Sequence, residues 1–438
     1  MNWEALLSLR RHGDTTKRIR KEQDEIRLGF EVDYDRIVFS SYFRSLQDKT
    51  QVIPFSKTDF VHTRLTHSLE VSVVARSLGR LAGKELLKRH PHLQEVHGYQ
   101  PNDFGAIVAA AALAHDIGNP PFGHSGEKAI GHYFESGEGK QYQAALTKEE
   151  YEDLCRFEGN ANGFKLLTES MEGTPGGLRI SYATLGAYMK YPKGSLPRKP
   201  SAHVADKKFG YFQSEKEFYA EIASEMELAK GTSNHRHPLA FLVEAADDIC
   251  YTIIDFEDGI NLGWISEDYA LEYLIKLVKH RMDTEKYAGL KHTAQRMSYL
   301  RSLAINSLII DAVNMFLTHE EEILEGTFAH ALLDKSKYKA QMDDIIAISV
   351  DKVYRSDEVL QKEIVGYKVI STLLSAFCTA AANKLYNKTT TYDELILRLV
   401  PKGTPMKEDS LYKTILNASC FVASLSDGKA MELAKKMN

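Results

Sequence analysis

The stretch Ile107-Val-Ala-Ala-Ala-Ala-Leu-Ala-His-Asp-Ile-Gly-Asn-Pro-Pro121 decides the fold of this chain. Its apolar run predicts a buried helix, and the Gly-Asn-Pro-Pro segment predicts that the helix ends beside His115 and Asp116. A buried carboxylate is costly unless it is paired or bound to a cation. The pair therefore predicts a metal site, and His67 and Asp247 are further candidate ligands.

Composition indicates an ordinary globular protein with a large core, because 43% of its 438 residues are hydrophobic and 26% are charged. The net charge of −5 excludes a protein that holds nucleic acid by an overall basic surface. Any polyanion must be bound by local groups of arginine and lysine. The four scattered cysteines predict reduced core thiols, and hence a cytoplasmic protein, rather than a disulfide framework or a zinc knuckle.

No membrane association is expected. The first ten residues lack the long apolar stretch of a signal peptide. The best apolar run, at 104–114, is too short to span a bilayer.

Helical periodicity dominates the chain, and alternating strand patterns are scarce. Residues 67–82 place an apolar stripe on one helix face together with His67, and Pro238 suits the first turn of another helix. We therefore predict an all-α fold. The predicted segments are an N-terminal helical segment at 1–60, a metal-binding core at 61–260 and a C-terminal helical region at 261–438. Further helical patterns lie at 267–283, 289–325, 338–355, 358–385 and 408–436, and loops are predicted at 135–149, 191–211 and 400–406.

Two further side chains are candidate ligands because of the helix faces on which they lie. His67 points inward, although a single inward histidine is more often a core residue than a ligand. Asp247, Tyr251 and Asp255 lie four residues apart on one helix face, which indicates a pocket wall; the alternative is a set of surface ion pairs. Asp248 is the rival for the ligand role, and the shared face favours Asp247. Imidazole with carboxylate suits one divalent ion, whether Mn²⁺, Mg²⁺, Fe²⁺, Ni²⁺ or Zn²⁺.

A second helix is predicted directly after the metal pair, from Pro121-Phe-Gly-His-Ser-Gly-Glu127, with Ser125 as its N-cap. His124 and Glu127 then lie three residues apart near the helix start. A carboxylate at that spacing can orient the imidazole and keep it basic, which suits proton transfer beside a metal. The alternative is a capping arrangement without chemistry.

The order His67, His115-Asp116, Asp247 resembles the H…HD…D signature of the HD-domain phosphohydrolase superfamily. The longer string from His115 to Glu127 is similar to the bacterial deoxyguanosinetriphosphate triphosphohydrolases and related dNTPases. The other stretches that agree are Asp35-Arg-Ile37, Phe43-Arg-Ser-Leu-Gln-Asp-Lys-Thr-Gln-Val52, His62-Thr-Arg-Leu-Thr-His-Ser-Leu-Glu70, Phe157-Glu-Gly-Asn160, Thr184-Leu-Gly-Ala-Tyr-Met-Lys-Tyr-Pro192, Glu244-Ala-Ala-Asp-Asp-Ile-Cys-Tyr251, Gly366-Tyr-Lys-Val-Ile370 and Ser424-Leu-Ser-Asp427.

The resemblance implies a helical HD-domain core with additional N- and C-terminal helices. It implies hydrolysis of a dNTP, with dGTP expected, to a deoxynucleoside and tripolyphosphate, in the control of dNTP pools. One divalent ion per chain would be held by His67, His115, Asp116 and Asp247, and His124 with Glu127 would be the catalytic pair. The implied substrate-binding residues are Arg64, Lys190 and Tyr191 near the phosphates, Gln51, Tyr251 and Asp255 at the deoxyribose, and Asn119, where some relatives carry histidine.

The same resemblance implies partners for the chain. Relatives form hexamers or other homo-oligomers of a dimeric unit, and some are thought to bind single-stranded DNA as an effector. The region 261–438 would complete the nucleotide pocket and the oligomer contacts.

A basic segment from Lys190 to Lys208 predicts a flap over the polyphosphate, because a protein of net charge −5 must gather cations to bind one. The alternative is a solvated loop. Its cations are Lys190, Lys193, Arg198, Lys199, Lys207 and Lys208, opposed only by Asp206.

Two rival functions stay open. An HD-type nucleotidase or phosphodiesterase acting on other nucleotides would share the metal ligands and would need no long basic flap. A nucleotide-sensing or single-stranded-DNA-sensing protein with reduced catalysis is suggested by the basic run at 10–21, although such a run is usually a solvated helix face.

Overall fold

The computed structural model of the chain describes residues 1–23, 26, 28–51, 62–170, 175–231, 233–401, 404, 406 and 409–437. These residues are largely helical, and their only strands are a two-residue antiparallel pair. The all-α prediction is confirmed. All four cysteines are buried and free, as the sequence predicts.

The helices are numbered in chain order. Those up to residue 261 are α1 Trp3–Leu6, α2 Gly29–Phe39, α3 Ser41–Arg44, α4 Arg64–Arg89, α5 Pro91–Glu95, α6 Pro101–Ala114, α7 Gly123–Glu135, α8 Lys148–Cys155, α9 Gly159–Thr168, α10 Tyr182–Tyr188, α11 Lys216–Glu225 and α12 Pro238–Asn261. Those that follow are α13 Glu267–Val278, α14 Thr284–Gly289, α15 Thr293–Thr318, α16 Glu320–Glu325, α17 Lys339–Ser349, α18 Asp357–Leu385, α19 Thr391–Leu397, α20 Leu411–Ser424 and α21 Asp427–Met437. Shorter elements are the 3₁₀-helices Arg20–Glu22, Ser45–Asp48, Glu138–Ala145, Val204–Asp206, Gln213–Glu215 and Leu332–Lys335, a π-helix at Val350–Tyr354, and the paired strands β1 Ala229–Lys230 and β2 Ser233–Asn234.

The helices α4 and α6 form the central pair of the fold and pack extensively against each other. A capping box starts α4, in which Thr63 and Thr66 exchange side-chain and backbone hydrogen bonds. The buried face of α4 carries His67 and the predicted apolar stripe. In α6 all residues from 107 to 114 are buried, since a helix that is apolar on every side must lie inside the protein. The predicted buried helix before His115 is confirmed.

The helix α12 packs on α4 and α6 and carries Asp247 to them. It starts at Pro238, as predicted. The preceding His237 is buried; its Nδ1 accepts from the Leu239 amide at 3.1 Å, and its Nε2 donates to the Leu6 carbonyl at 3.0 Å. The imidazole therefore ties α1 to the start of α12.

The apolar core consists of two clusters. The first is built mainly by α4, α6, α10, α12, α13 and α15, and the second joins α7 and α8 to α18, α20 and α21. Ile117 belongs to the first cluster and Phe122 to the second, so the segment after the metal pair lies where the clusters meet. The first cluster contains residues of all three predicted segments, 1–60, 61–260 and 261–438, and the second contains residues of the last two. The segment boundaries stay a prediction.

Three helical patterns read from the sequence are interrupted in the structure. The pattern at 289–325 divides into α15 and α16, the one at 338–355 continues from α17 into a π-helix, and the one at 408–436 divides into α20 and α21. The last break has a local cause, because the Ser426 hydroxyl accepts a hydrogen bond from the Lys429 amide (3.2 Å) and caps a new helix.

The predicted loops differ in outcome. The loop at 191–211 is irregular apart from its short 3₁₀-helix, as predicted. The prediction of a loop at 135–149 is wrong over much of that range, because Glu138–Ala145 is a 3₁₀-helix and α8 begins at Lys148. The loop at 400–406 lies partly outside the described residues.

Two helices, Thr293–Thr318 and Val359–Leu385, are long and apolar enough to cross a bilayer. Both helices are longer than the apolar run at 104–114 from which no membrane span was expected. Half of each apolar window is buried inside the protein, and core helices of soluble proteins pass the same test. The two helices are therefore weak evidence for a membrane protein.

Candidate metal centre and active site

Three helices bring two histidines and two aspartates together. His67 lies in the first turn of α4 and Asp247 midway along α12, while His115 and Asp116 follow α6 directly. The Oδ1 atom of Asp247 is 3.3 Å from His67 Nε2 and 3.5 Å from His115 Nε2. One ligand atom from each of His67, His115 and Asp116 lies within 4.8 Å of the others. The four predicted ligands thus converge, although they are far apart along the chain.

The donor atoms of this cluster fit a divalent ion. His115 Nδ1 donates to the Ala112 carbonyl oxygen at 2.6 Å, which leaves the Nε2 lone pair free beside the cluster. Asp116 Oδ2 is buried and has no hydrogen-bond partner among the described residues. A buried carboxylate oxygen without a donor is costly, and a cation bound there would satisfy it. Two imidazoles with two carboxylates suit the divalent ions named above.

Cations lie against both carboxylates. Arg64 Nη1 donates to Asp116 Oδ1 at 2.8 Å, and Lys190 Nζ donates to Asp247 Oδ2 at 3.1 Å. Burial alone would raise the pKa of Asp247, but Lys190 and the two imidazoles outweigh burial and hold that pKa well below its usual value. Two of the three residues predicted near the phosphates, Arg64 and Lys190, therefore lie at the edge of the metal cluster.

The loop that follows the metal pair is held by close contacts. Asn119 Nδ2 donates to Asp116 Oδ1 at 2.6 Å, so this predicted substrate-binding residue contacts a ligand carboxylate. Gly118 has a φ of +103° and approaches α9 so closely that a Cβ there would lie 2.2 Å from the Gly163 nitrogen. Only glycine fits this position.

His124 and Glu127 form a hydrogen-bonded pair beside this loop. His124 Nδ1 lies 2.7 Å from Glu127 Oε2, and Glu127 Oε1 accepts from the Gly159 amide at 2.7 Å. The carboxylate is buried while the imidazole is 74% exposed. Burial would raise the pKa of Glu127, but His124 and Lys208 lower it to about 2. An ionised carboxylate therefore orients an accessible imidazole, which is the arrangement that proton transfer requires.

The predicted N-cap at Ser125 is wrong. Helix α7 starts at Gly123, and its N-cap position is Phe122, which has a φ of +63° and makes no side-chain cap. The Ser125 hydroxyl instead donates to a carboxylate oxygen of Glu363 on α18. The close turn at Phe122 starts the helix, because a left-handed residue redirects the chain there.

The predicted pocket wall on α12 contains a residue that the sequence analysis missed. The ring of Tyr251 stacks on Tyr354, with centroids 5.6 Å apart and an interplanar angle of 12°. The Tyr354 hydroxyl donates to Asp255, whose pKa burial raises to about 7. Tyr354 lies in the π-helix, 99 residues beyond Asp255, and no local pattern marks it. Asp248, the rival ligand, has no contact with the metal cluster among the described contacts, which favours Asp247.

The remaining predicted residues lie as follows. Gln51 is half-buried, and its Oε1 has no hydrogen-bond partner among the described residues. The ring of Tyr191 is buried, with the guanidinium of Arg236 6.0 Å from its centroid.

The basic segment divides into cations that face the site and cations that do not. Lys208 Nζ donates to Glu158 Oε1 at 2.9 Å and lies 3.9 Å from Glu127 Oε2. Arg198 is instead paired with both carboxylate oxygens of Glu152, away from the cluster. Arg198 thus has an acid partner, while Lys190 and Lys208 contact acids of the site. The flap over a polyphosphate stays a prediction.

A cavity of about 380 Å³ lies beside the His124–Glu127 pair and carries an excess of basic residues. Glu158, to which no role was assigned from the sequence, joins this cavity to the pair through Lys208. The residues that line the cavity are Arg156, Glu158, Lys193, Ser195, Arg198, Lys199, Asp206, Lys207, Lys208 and Phe209.

Comparison with known proteins agrees with this geometry. Residues 64–253 match the HD domain family, and this span contains all four clustered ligand residues. Deoxyguanosinetriphosphate triphosphohydrolase-like proteins of Synechocystis sp. and Pseudomonas aeruginosa are 38% and 37% identical over all of this chain and cover 99% and 98% of their own lengths. The deoxyguanosinetriphosphate triphosphohydrolase of Klebsiella pneumoniae is 32% identical over 86% of the chain and 80% of its own length.

These full-length similarities extend well beyond the HD domain into both flanking regions. The chain is therefore a hydrolase that belongs to the deoxyguanosinetriphosphate triphosphohydrolase family of the HD superfamily.

Proposed function

We propose that the protein hydrolyses deoxynucleoside triphosphates, with dGTP preferred, to the deoxynucleoside and tripolyphosphate. The observation that supports this most is the convergence of His67, His115, Asp116 and Asp247 beside an oriented histidine–carboxylate pair. The names of the relatives point to the same substrate. In this reaction water attacks the α-phosphorus while the 5′ oxygen leaves, which requires a Lewis acid and a proton donor. The four ligands would hold the metal that supplies the first, and the histidine of the pair would supply the second.

The metal would be one divalent ion per chain, chosen from manganese, magnesium, iron, nickel and zinc. When bound, it supplies a Lewis acid for the phosphate and a water of lowered pKa. Arg64 and Lys190, which lie against the ligand carboxylates, bind the phosphate oxygens in this scheme, and Lys208 extends the positive charge towards the cavity.

His124 is the proton donor in the proposed reaction. The bond between the α-phosphorus and the 5′ oxygen breaks, and the departing alkoxide is a poor leaving group unless it is protonated. Glu127 holds the imidazole in one orientation, so His124 can deliver a proton to the 5′ oxygen.

The deoxyribose would rest against the wall formed by Tyr251, Tyr354 and Asp255. Asp255 can accept from the 3′-hydroxyl. A packed aromatic ring disfavours a 2′-hydroxyl by steric exclusion, which is a physical route to a preference for deoxy substrates. Gln51, whose Oε1 lacks a partner among the described residues, offers a further polar contact for the sugar.

Product analysis tests the proposal. The metal-loaded protein is incubated with each of the four dNTPs and with GTP, and the products are separated by chromatography. We expect tripolyphosphate and free deoxyguanosine, formed only when metal is present. Orthophosphate in place of tripolyphosphate would instead indicate another kind of nucleotidase, and no product from any of these nucleotides would favour a sensing protein.

We further propose a cytoplasmic homo-oligomer, dimer-based or hexameric, that acts in the control of dNTP pools. The resemblance to the family supports this part. The idea of a single-stranded DNA effector has less support, because four arginines of the basic N-terminal run are already paired with acids. These pairs are Arg10 with Glu221 and Glu225, Arg11 with Asp33, Arg18 with Asp14, and Arg20 with Asp103.

A further inference from the structure

Asp427, at the start of α21, joins two segments that are far apart in the sequence. One oxygen, Oδ2, accepts from the Thr50 amide at 3.2 Å and from the Thr50 hydroxyl at 2.5 Å. The other, Oδ1, accepts from the Phe122 amide at 3.0 Å. Asp427 is 2% exposed, so three donors from two distant segments depend on one buried acid.

A second connection runs parallel to the first. Lys49 is buried, and its ammonium group donates to the Asn119 carbonyl at 2.6 Å and to the Ala423 carbonyl at 2.7 Å. The Lys49 carbonyl in turn accepts from the Arg64 amide at 3.1 Å. The end of α20 is thereby tied to the loop after the metal pair and to the start of α4.

Both connected segments carry residues of the candidate site. Residues 119–122 link Asp116 to His124, and Phe122 holds an unfavourable left-handed φ of +63°. Such a backbone is unfavourable for a residue with a side chain and persists only where its surroundings hold it. Thr50 precedes Gln51 and forms a backbone bridge with Thr63 at the N-cap of α4.

We propose that Asp427 is a positioning residue for the active site, acting through Phe122 on His124 and through Thr50 on Gln51. The expected effect on kinetics rests on the proposed function, whereas the expected effect on the structure rests on the hydrogen bonds alone. The last two helices, α20 and α21, thus take part in the reaction by placing the backbone of other segments, without touching the substrate.

The kinetic test compares Asp427→Asn with a matched control, Asp393→Asn. Asp393 is also buried, and it likewise accepts from a threonine amide and hydroxyl, those of Thr390, but on α19. Asp427→Asn replaces one accepting oxygen with an amide nitrogen, which cannot accept a hydrogen bond from the donor that it faces. We expect kcat to fall by roughly 10- to 100-fold, since small misplacements of catalytic groups have such effects, and KM to rise.

The control should lose thermal stability without a change in kcat or KM. If both variants lost activity only in proportion to their stability, or if Asp427→Asn kept wild-type kinetics, the positioning role would be excluded. Thr50→Ser, which keeps the hydroxyl, should restore the KM that Thr50→Val raises.

Hydrogen exchange on the metal-free protein separates this inference from the proposed reaction. In Asp427→Asn we expect faster exchange of the amides at 49–51 and at 119, 122 and 123, and in Asp393→Asn no change there. Unchanged exchange at both segments in Asp427→Asn would refute the connection, whatever the substrate. Faster exchange without dNTP hydrolysis by the wild-type protein would retain the connection and reject only the proposed function.

Discussion

Individual charges near the metal cluster would let a protein of net charge −5 bind the proposed polyphosphate substrate. Asp116 and Asp247 each already contact a cation, Arg64 and Lys190 respectively. A divalent ion added to this balanced group leaves an excess of about two positive charges in a buried place. The attraction for an anion is therefore local and depends on the metal.

The choice of Asp247 over Asp248 as a ligand leads to a first prediction. Asp247→Asn should weaken metal binding by more than roughly 100-fold, because even residues that only support a ligand contribute 10- to 100-fold. Asp248→Asn is the control and should bind metal as the wild type does. Calorimetric titration with Mn²⁺ measures both, and a reversed order of the two variants would contradict the assignment.

The proton-donor role of His124 gives a second prediction. His124→Gln should lower kcat by roughly 10²–10⁴-fold, with unchanged metal content, because the 5′ oxygen would leave without a positioned acid. His132→Gln, on an exposed position of the same helix, is the control. A large loss of bound metal in His124→Gln would show that the residue acts on the metal cluster and not on the proton.

At the level of elements, α18 supports the turn that starts α7. Gly366 on α18 faces Phe122 so closely that a Cβ would lie 2.9 Å from the Phe122 ring. This contact and the Asp427 hydrogen bond hold the left-handed Phe122 from two sides. The start of α7, and with it His124, is therefore placed by helices from the far end of the chain.

A third prediction concerns this contact between helices. Gly366→Ala should destabilise the protein by about 1–3 kcal/mol, the usual cost of overpacking, and should lower activity by displacing Phe122. Gly428→Ala in α21 is the control, because nothing lies within 4 Å of its added Cβ, and alanine favours a helix. Urea unfolding of both variants decides; equal stabilities would mean that Phe122 accommodates the methyl group freely.

For the molecule as a whole, the site lies where the two apolar clusters meet. The candidate metal ligands come from the helices of the first cluster, and the proposed proton donor comes from α7, which packs in the second. Relative movement of the clusters would separate the metal from its acid. The many contacts of 49–51, 119–122 and 423–427 across this boundary resist such movement.

A fourth prediction concerns the pH dependence of global stability. Burial lowers the pKa of His237 to about 4. As the pH falls from about 6.5 to about 4, the unfolded chain takes up a proton that the folded imidazole does not, so the wild type should lose about 3 kcal/mol. Above pH 6.5 His237 no longer contributes to the change of unfolding free energy with pH.

The measurement is urea unfolding at pH 7, 6, 5 and 4. In His237→Gln this part of the slope should be absent, so its stability should approach that of the wild type as the pH falls. His92→Gln, at an exposed position, is the control. A stability difference between wild type and His237→Gln that stays constant with pH would contradict the burial argument.

The sequence by itself determined the helical class, the buried helix before His115 and the faces that carry His67 and Asp247. These features depend on periodicity and spacing within a few helical turns, because the geometry of the helix sets which side chains share a face. It also marked His124 and Glu127 as a pair, since three residues in a helix bring two side chains together.

Only the tertiary structure decided the contacts between distant segments. Tyr354 stacks on Tyr251, Asp427 holds Phe122, and Arg198 pairs with Glu152. No local pattern encodes these contacts, because they depend on which helix faces pack together and on the burial that follows. A charged or aromatic side chain takes its role from the partner that packing brings to it, and that partner can come from anywhere in the chain.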